Sequence, residues 1–450
     1  MIERIDAFRR NLQDAVAERL EPFAHGTGLF CDSIPIVYDV NFLRVDAVVS
    51  AGTHEAEAES LMERFWHRRV VTGADGTALG TGFADLGWTQ TTHVVMGHVR
   101  EPDRRVDTSA VQEVDFETLV EPHIRVTLAE PQGSLELAES LLAAKRRVGA
   151  AVPTRFFAIS IEGEVACYCE LRSDGRTAQI EDVNTLAGYR GRGLGRAVVQ
   201  RALDEARTSN DVVFIEALAD DWPKELYARL GFETLTERHL FLRPPHPLSR
   251  LRLRTPRLEL RLGTVAELRE LYQVARAGIH DPGFMPFGNA WTDSIDEGAF
   301  LAWHLSALRD WRPYGWRLEL VVFHEGRPVG VQALHSVRFG TTRRASTGSW
   351  LGATWQGRGL GTEMRGAILT LLFDGLGGRE AASGAVLGNE ASLGVSRKLG
   401  YEQVGISTVA PRGAVVEHRD LLLTRDRFRR PRGVAIDGLE GLDSLFGVDW

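Results

Sequence analysis

The sequence predicts a mixed α/β fold in which one architecture is used twice, behind a third, incomplete copy. Three observations carry this. Two glycine-rich phrases recur in matching context, at Tyr189-Arg190-Gly191-Arg192-Gly193-Leu194-Gly195-Arg196 and at Trp355-Gln356-Gly357-Arg358-Gly359-Leu360-Gly361-Thr362. Hairpin-forming strands precede each phrase. A helix, a short strand and a second helix follow each one. An ordered repeat of this kind implies one supersecondary plan repeated along the chain, and a strand meander followed by strand–helix–strand–helix is a mixed sheet.

The strands before the first phrase run from Phe156 to Ile161 and from Val165 to Leu171, joined at Glu162-Gly163; Asp174-Gly175 turns into the next strand. Before the second phrase the pattern is Leu318 to Phe323, Glu325-Gly326, then Val329 to Leu334. Short apolar runs joined by two residues with glycine second are hairpin signals. After the phrases, Val198, Val199, Ala202, Leu203 and Ala206 share one helical face, as do Met364, Ala367, Ile368, Leu371 and Leu372. Strands are expected at Val212 to Ala217 and Ala381 to Val386. Both units close alike, on Leu226-Tyr227-Ala228-Arg229-Leu230-Gly231-Phe232 and Val395-Ser396-Arg397-Lys398-Leu399-Gly400-Tyr401.

A third echo, Phe83-Ala84-Asp85-Leu86-Gly87-Trp88, resembles these closings. No glycine loop stands at the corresponding distance before it, near Asp46. Residues 1–108 therefore read as a degenerate or half unit, 109–246 as a first complete unit, 247–430 as a second, and 431–450 as a tail. The polar stretch Arg100 to Asp107 and the stiff Pro244-Pro245-His246-Pro247 mark the boundaries. In the tail, Leu439, Leu442, Leu445 and Phe446 fall near helical spacing, which suits either a docking segment or a helix packed on its own domain.

Composition narrows the classes. The 450 residues carry a net charge of −8, with 44% hydrophobic and 25% charged residues, as in a soluble globular chain. There is no basic footprint for nucleic acid, and no apolar run approaches the ~20 residues that span a bilayer. The N-terminus is too charged for a signal peptide. Ile5, Phe8, Leu12, Val16 and Leu20 suggest an amphipathic helix there. The three cysteines, Cys31, Cys167 and Cys169, have no metal-ligand spacing. They suit structural thiols in a reduced, cytoplasmic chain, and no metal is expected.

The glycine loops suggest a ligand. Glycines between a strand and a helix let the backbone approach closely, and the helix N-terminus aims free N–H groups at a pyrophosphate. The Gly-x-Gly-x-Gly spacing departs from the Gly-x-Gly-x-x-Gly of dinucleotide folds, and Gly-Lys-Ser/Thr is absent, so an oxidoreductase or nucleotide triphosphatase is disfavoured.

Arg/Gln-x-x-Gly-x-Gly after a strand, with Leu-Tyr-x-x-Leu-Gly-Phe or its variant some ~40 residues later, resembles the GNAT N-acetyltransferases. The resemblance implies an acyl-CoA co-substrate, with its pyrophosphate on the loop and its pantetheine between two splayed strands. It places Arg190, Gly191, Arg192, Gly193, Leu194, Gly195, Arg196 and Val183, and Gln356, Gly357, Arg358, Gly359, Leu360, Gly361 and Asn389, as cofactor contacts. The opening Leu253-Arg254-Thr255-Pro256-Arg257 and Asn389-Glu390-Ala391-Ser392 are similar to the ribosomal-protein N-terminal acetyltransferases. The tandem layout is reminiscent of mycothiol synthase. The acceptor is expected to be a small-molecule amine or a peptide N-terminus.

Direct transfer needs a base for the incoming ammonium, a donor to the thioester carbonyl and an acid for the leaving thiolate. Tyr227 occupies the family's acid position. Glu181, nine residues before Arg190, is the candidate base, with Asp182 on the opposite face as its competitor. In the second unit Ser396 replaces Tyr227, Thr347 replaces Glu181, and Ser392 follows Asn389 by three. Asn389 either contacts pantetheine or caps the next helix. His280-Asp281-Pro282 and Met285-Pro286-Phe287 fall where this superfamily shapes its acceptor pocket, or form a turn with a hydrophobic plug. The alternative to an enzyme is an acyl-CoA-binding sensor or scaffold with one or more inactive units.

Overall fold

A computed structural model describes residues 1–130 and 133–448. They divide into two compact units, Met1–Pro244 and Pro245–Trp450. In the first unit the strands are β1 (Arg19–Phe23), β2 (Gly26–Phe30), β3 (Phe42–Val45), β4 (Arg68–Thr72), β5 (Thr89–His98), β6 (Gln112–Val114), β7 (Thr154–Ile161), β8 (Glu164–Ser173), β9 (Thr177–Thr185), β10 (Val212–Leu218) and β11 (Phe232–Arg243). Its helices are α1 (Ile2–Val16), α2 (Ala51–Leu61), α3 (Gly80–Asp85), α4 (Phe116–Leu128), α5 (Leu135–Ala151), α6 (Leu194–Ala206) and α7 (Pro223–Arg229).

All eleven strands form one sheet in the order β1-β2-β3-β4-β11-β5-β10-β9-β8-β7-β6. The echo seen in the sequence is structural. Parallel β3 and β4 are linked through α2, and α3 leads into β5, just as parallel β9 and β10 are linked through α6, and α7 leads into β11. The two copies exchange their last strands. β5 lies between β10 and β11, and β11 lies between β4 and β5. The boundary expected at 108 therefore falls inside a single sheet. Ser50 caps α2 by accepting from the Thr53 N–H, so the degenerate copy satisfies a helix N-terminus with a side chain where the complete copies place glycine.

α1 forms as its periodicity predicts, and packs Ile5 and Phe8 against Val95, Val212 and Phe214. Leu20 does not extend it; it lies in β1, 45% exposed. The hairpin β7–β8 turns through Glu162 and Gly163, both at positive φ (55° and 85°), the type I′ geometry that matches strand twist. Cys167 and Cys169 share the core face of β8, and all three cysteines are buried and free.

The second unit contains strands β12 (Arg252–Arg254), β13 (Leu258–Arg261), β14 (Gly315–His324), β15 (Arg327–Val337), β16 (Arg344–Leu351), β17 (Glu380–Val386), β18 (Glu402–Val409), β19 (Val416–Thr424) and β20 (Ala435–Asp437). Its helices are α8 (Val265–Arg276), α9 (Glu297–Arg309), α10 (Phe339–Thr342), α11 (Leu360–Thr370) and α12 (Glu390–Leu399). The sheet order is β18-β19-β17-β16-β15-β14-β13-β12-β20. The turn Glu325-Gly326 repeats the type I′ hairpin, with φ of 50° and 76°. Here β19 fills the place between β17 and β18 that β5 fills between β10 and β11.

The tail is not a helix. β20 pairs with β12, and Leu442, Phe446 and Val448 are buried. Phe446 meets the rings of Trp311 and Trp316 edge-on, and Trp311 Nε1 donates to the Leu445 carbonyl at 2.8 Å. The described part of the tail packs on its own unit, which corrects its reading as a docking segment; residues 449–450 lie outside the described residues.

Candidate active site

In both units a parallel strand pair splits next to a glycine loop. β9 and β10 pair from Thr177↔Val212 only as far as Ile180↔Ile215. Beyond that, β9 stays with β8 and β10 stays with β5. Glu181 and Glu216 are the first residues past the split. In the second unit β16 and β17 part after Ser346↔Ala382, and the first residues past that split are Thr347 and Ser383. The position nine residues before each loop is thus the same place in both folds.

The loops agree closely. Gly191 and Gly193 have φ of 76° and 79°; Gly357 and Gly359 have 74° and 82°. These left-handed values exclude a Cβ without strain. Gly193 and Gly359 are the N-caps of α6 and α11 and bring no capping side chain, so first-turn N–H groups at Leu194 and Gly195, and at Leu360 and Gly361, are left for a ligand. Arg192 lies over the Tyr189 ring at 5.4 Å, and Arg358 over Trp355 at 5.2 Å. Arg190 Nε donates to the Thr185 carbonyl at 3.1 Å. Gln356 Nε2 donates to the Leu351 carbonyl at 2.8 Å and the Ile279 carbonyl at 2.7 Å. Arg196 turns away from the loop; its buried guanidinium pairs with Asp103 and the Arg104 carbonyl.

In the middle unit the split opens onto a cavity of about 790 Å³, which Glu181, Asp182, Val183, Glu216 and Tyr227 line together. The sequence placed Glu181 and Asp182 on opposite faces. A β-bulge between Tyr168 and Glu170, opposite Asp182 and Val183, breaks the alternation. Asp182 sits at φ 54°, and both carboxylates reach the cavity. Bulges re-aim side chains in this way, and nothing in the sequence marks this one, since the left-handed residue is not glycine.

The two acids differ in partners. Asp182 accepts from Lys145 Nζ at 2.8 Å and from Asn184 Nδ2 at 2.7 Å. Lys145 also donates to Glu170 at 2.6 Å, and Arg172 holds the other Glu170 oxygen. Burial raises Asp182, and Lys145 opposes the shift. Glu181 accepts from Gln179 Nε2. Burial pushes its carboxyl up to about 7, against the pull of Arg172, and Glu216 adds to the rise. Tyr227 is 6% exposed, and its phenol is held above the ordinary range by burial and by Glu181. Glu216 itself was not anticipated. It sits between Arg238 (2.8 Å) and Arg9 (3.3 Å), and its only sequence signal was a lone glutamate inside an apolar strand.

The second unit fills the same place with hydroxyls and a buried guanidinium, and no carboxylate stands at the Glu181 position. Thr347 Oγ1 lies 3.3 Å from Tyr401 Oη. Arg365, buried in α11, donates to Ser396 Oγ at 3.0 Å and Ser349 Oγ at 2.9 Å. Ser396 donates in turn to the Ser392 carbonyl at 3.0 Å. Asn389 caps α12 by accepting from the Ser392 N–H at 3.1 Å. β14, β15 and β16 align Glu319, Ala333 and Gly348, so an acid stands two strands away across two small residues. Burial pushes Glu319 up to about 7, against Arg317. The 280–292 segment closes over an aromatic cluster; Phe287 stacks near Trp291, which meets Trp350 at 5.8 Å, and His280 Nε2 bonds Thr292 Oγ1 at 2.7 Å.

Family comparisons agree with this duplicated geometry. Residues 127–232 match the acetyltransferase (GNAT) family and residues 250–402 match an acetyltransferase (GNAT) domain. Together the matches cover more than half of the chain. Among solved structures, a functionally unknown conserved protein from Staphylococcus epidermidis aligns at 14% identity over 51% of this chain and 94% of its own, with a TM-score of 0.42. RimJ of Mycobacterium smegmatis, in complex with CoA-disulfide, aligns at 17% identity over 45% and 98%, TM-score 0.34. RimL, the ribosomal L7/L12 alpha-N-protein acetyltransferase, in complex with coenzyme A, aligns at 16% over 38% and 97%, TM-score 0.32. The two domains are those of an acyltransferase. The chain belongs to the GNAT superfamily, with two complete units in tandem behind a degenerate one. Among the described residues, no helix is long and apolar enough to cross a membrane.

Proposed function

We propose that the middle unit transfers an acetyl group from acetyl-CoA directly to the amine of a small molecule or a peptide N-terminus, in the cytoplasm. The observation that carries this reading is the cavity at the β9/β10 split, which Glu181 and Tyr227 share with Val183 and Asn184 of the strand that leads to the glycine loop. Backbone N–H groups of the loop and of α6 would hold the pyrophosphate, and the pantetheine would lie between the parted strands. The bulge turns backbone at Asp182 and Val183 toward the thioester carbonyl, where an N–H stabilises the oxyanion.

Glu181, with a pKa near the working range, accepts the ammonium proton. The freed amine attacks the carbonyl, the C–S bond breaks, the thiolate takes the Tyr227 proton, and the second proton shed by the new amide nitrogen restores the phenol. Tyr227 suits the acid role because burial keeps it protonated. Asp182 is held by Lys145, so it is the less available base.

The C-terminal unit supports a second role, binding of acyl-CoA without turnover, as a sensor or scaffold would use it. Its loop repeats that of the middle unit, while Ser396 is already bonded to Arg365. Calorimetry tests both statements. Two CoA sites per chain are expected, with Gly193→Asp and Gly359→Asp each deleting one by setting a carboxylate against the pyrophosphate. Thiol release from acetyl-CoA, followed with a panel of amines, should vanish in Gly193→Asp and survive in Gly359→Asp. A stoichiometry of zero for the wild-type chain would remove the reading altogether.

A further inference from the structure

About a third of the lining of the cavity that Glu181 and Tyr227 share comes from the N-terminal region. α1 contributes Arg9 and Gln13, the segment before β3 contributes Asp39, β4 contributes Arg69 and β5 contributes His93. These residues of the N-terminal region meet Glu216 and Arg238 from β10 and β11. Arg69 pairs with Asp39 at 2.7 Å, and Glu216 pairs with Arg238 at 2.8 Å and Arg9 at 3.3 Å. On the cavity side, three guanidinium groups therefore face two carboxylates. The remaining acid near Arg9 is Asp6, half exposed and 3.4 Å away, and it does not line this cavity.

We propose that the acceptor of the middle unit is an amine that also carries a carboxylate, and that residues 1–108 form the wall that recognises it. The inference rests on the acyl-transfer reading for the role of Glu181, and adds the class of substrate. Charge complementarity carries it. At the split, Lys145 and Arg172 are balanced by Glu170 and Asp182, which leaves Glu181 as the acid free to meet an ammonium. On its cavity side the N-terminal wall carries one more guanidinium than carboxylate, because Arg9 reaches its second acid, Asp6, outside the cavity. Glu130 and Asp221 also line the cavity but are solvent-exposed. A largely buried guanidinium, as Arg9, Arg69 and Arg238 each are, is costly until an anion joins it, and guanidinium binds carboxylate in two-pronged geometry. Burial holds Arg9 down at about 10 despite Glu216 beside it, in keeping with an under-neutralised group.

Asp39 is the movable partner. Its side chain keeps 74% of its surface free while lining the cavity. A ligand carboxylate can take its place on Arg69. The degenerate unit, which has no glycine loop, then has a function that needs none.

The test is calorimetric titration of the full-length chain, without acetyl-CoA, using straight-chain ω-amino acids from 3-aminopropanoate to 6-aminohexanoate, the n-alkylamines of matching length, and the matching diamines. An amino acid should bind best. Arg69→Gln should lower the selectivity for that amino acid over its alkylamine at least ~10-fold, the scale of a lost charge-assisted pair. Asp39→Asn should raise it, because the competing carboxylate is gone; this opposite sign survives even if Arg69→Gln fails to fold. Preference for a diamine or an alkylamine, or an Asp39→Asn change in the opposite direction, overturns the proposal. Amino-acid binding with no thiol release in the acetyl-CoA assay would leave this wall as assigned and overturn acyl transfer. Thiol release confined to amines without a carboxylate would do the reverse.

Discussion

Arg365 donates to Ser396 Oγ at 3.0 Å, and the equivalent pair in the middle unit is Val199 and Tyr227. A buried cation thus engages the hydroxyl that stands in the second unit where Tyr227 stands in the middle one. Ser396→Ala would leave a guanidinium N–H unsatisfied in the core, a loss of about 2 kcal/mol. The expected result is a lower unfolding midpoint for the C-terminal unit with thiol release unchanged. Abolished turnover would move the reaction to that unit.

Tyr227→Phe keeps the ring against Phe232, 6.4 Å away, and removes only the proton. Loss of a general acid is worth roughly 10²–10⁴ in rate. kcat should fall at least ~10-fold with little change in CoA affinity, since the glycine loop is untouched. An unaltered kcat would reduce Tyr227 to a packing residue.

Glu181 gives a pH signature independent of turnover. Its carboxyl is raised from the ordinary value to about 7 by burial. The folded chain therefore holds this proton more tightly than the unfolded chain, so the contribution to stability is full below pH ~4 and is lost as pH rises through about 7. The loss approaches ~3 kcal/mol. Glu181→Gln, a neutral mimic, should match wild type at pH 4 and exceed its melting temperature at pH 8. Equal melting curves at both pH values would show that Glu181 titrates normally.

The exchange of β5 and β11 makes a folding prediction. Residues 109–246 expressed alone lack β5, and with it the pairing partner of both β10 and β11. They lack β4 as well, so β10 loses one neighbour and β11 loses both, and bare strand edges of this kind are prone to aggregation. Residues 1–246 should be monodisperse with a cooperative melt, and residues 109–246 should not. A folded, cooperative 109–246 fragment would mean that β11 can close onto β10 unaided.

The repeat was legible because strand pattern, glycine loop and closing phrase are local signals. Glu181 and Thr347 could be equated from spacing alone, and the splits after Ile180 and Ser346 place them alike. What could not be read was non-local. The insertion of β5 beside β10 joins residues more than a hundred positions apart. Arg365 and Glu216 look like ordinary polar residues until their partners are known. The bulge at Asp182 has no glycine to announce it, and the tail shows helical spacing because Leu442 and Phe446 insert from a strand and a short turn.

The tail supplies the last prediction. Trp311 and Trp316 stack at 5.6 Å with an interplanar angle of 11°, and Phe446 stands edge-on to both, at 5.4 and 5.1 Å. Phe446 is wholly buried, while Trp311 and Trp316 are 6% and 4% exposed. Two indole N–H groups end on tail carbonyls, Trp311 on Leu445 and Trp316 on Phe446. Removing the Phe446 ring leaves a cavity beside two tryptophans, and large-to-small changes of this kind cost about 3–5 kcal/mol. Phe446→Ala should lower the unfolding free energy of the C-terminal unit by that amount, with a correspondingly lower denaturant midpoint, and redden its tryptophan emission as water reaches the stacked pair. Truncation after Pro431 should do more, because β20 also leaves the edge of β12. A truncated chain with an unchanged midpoint and unshifted emission would show that the tail is dispensable to the fold, and would return it to service for an outside partner.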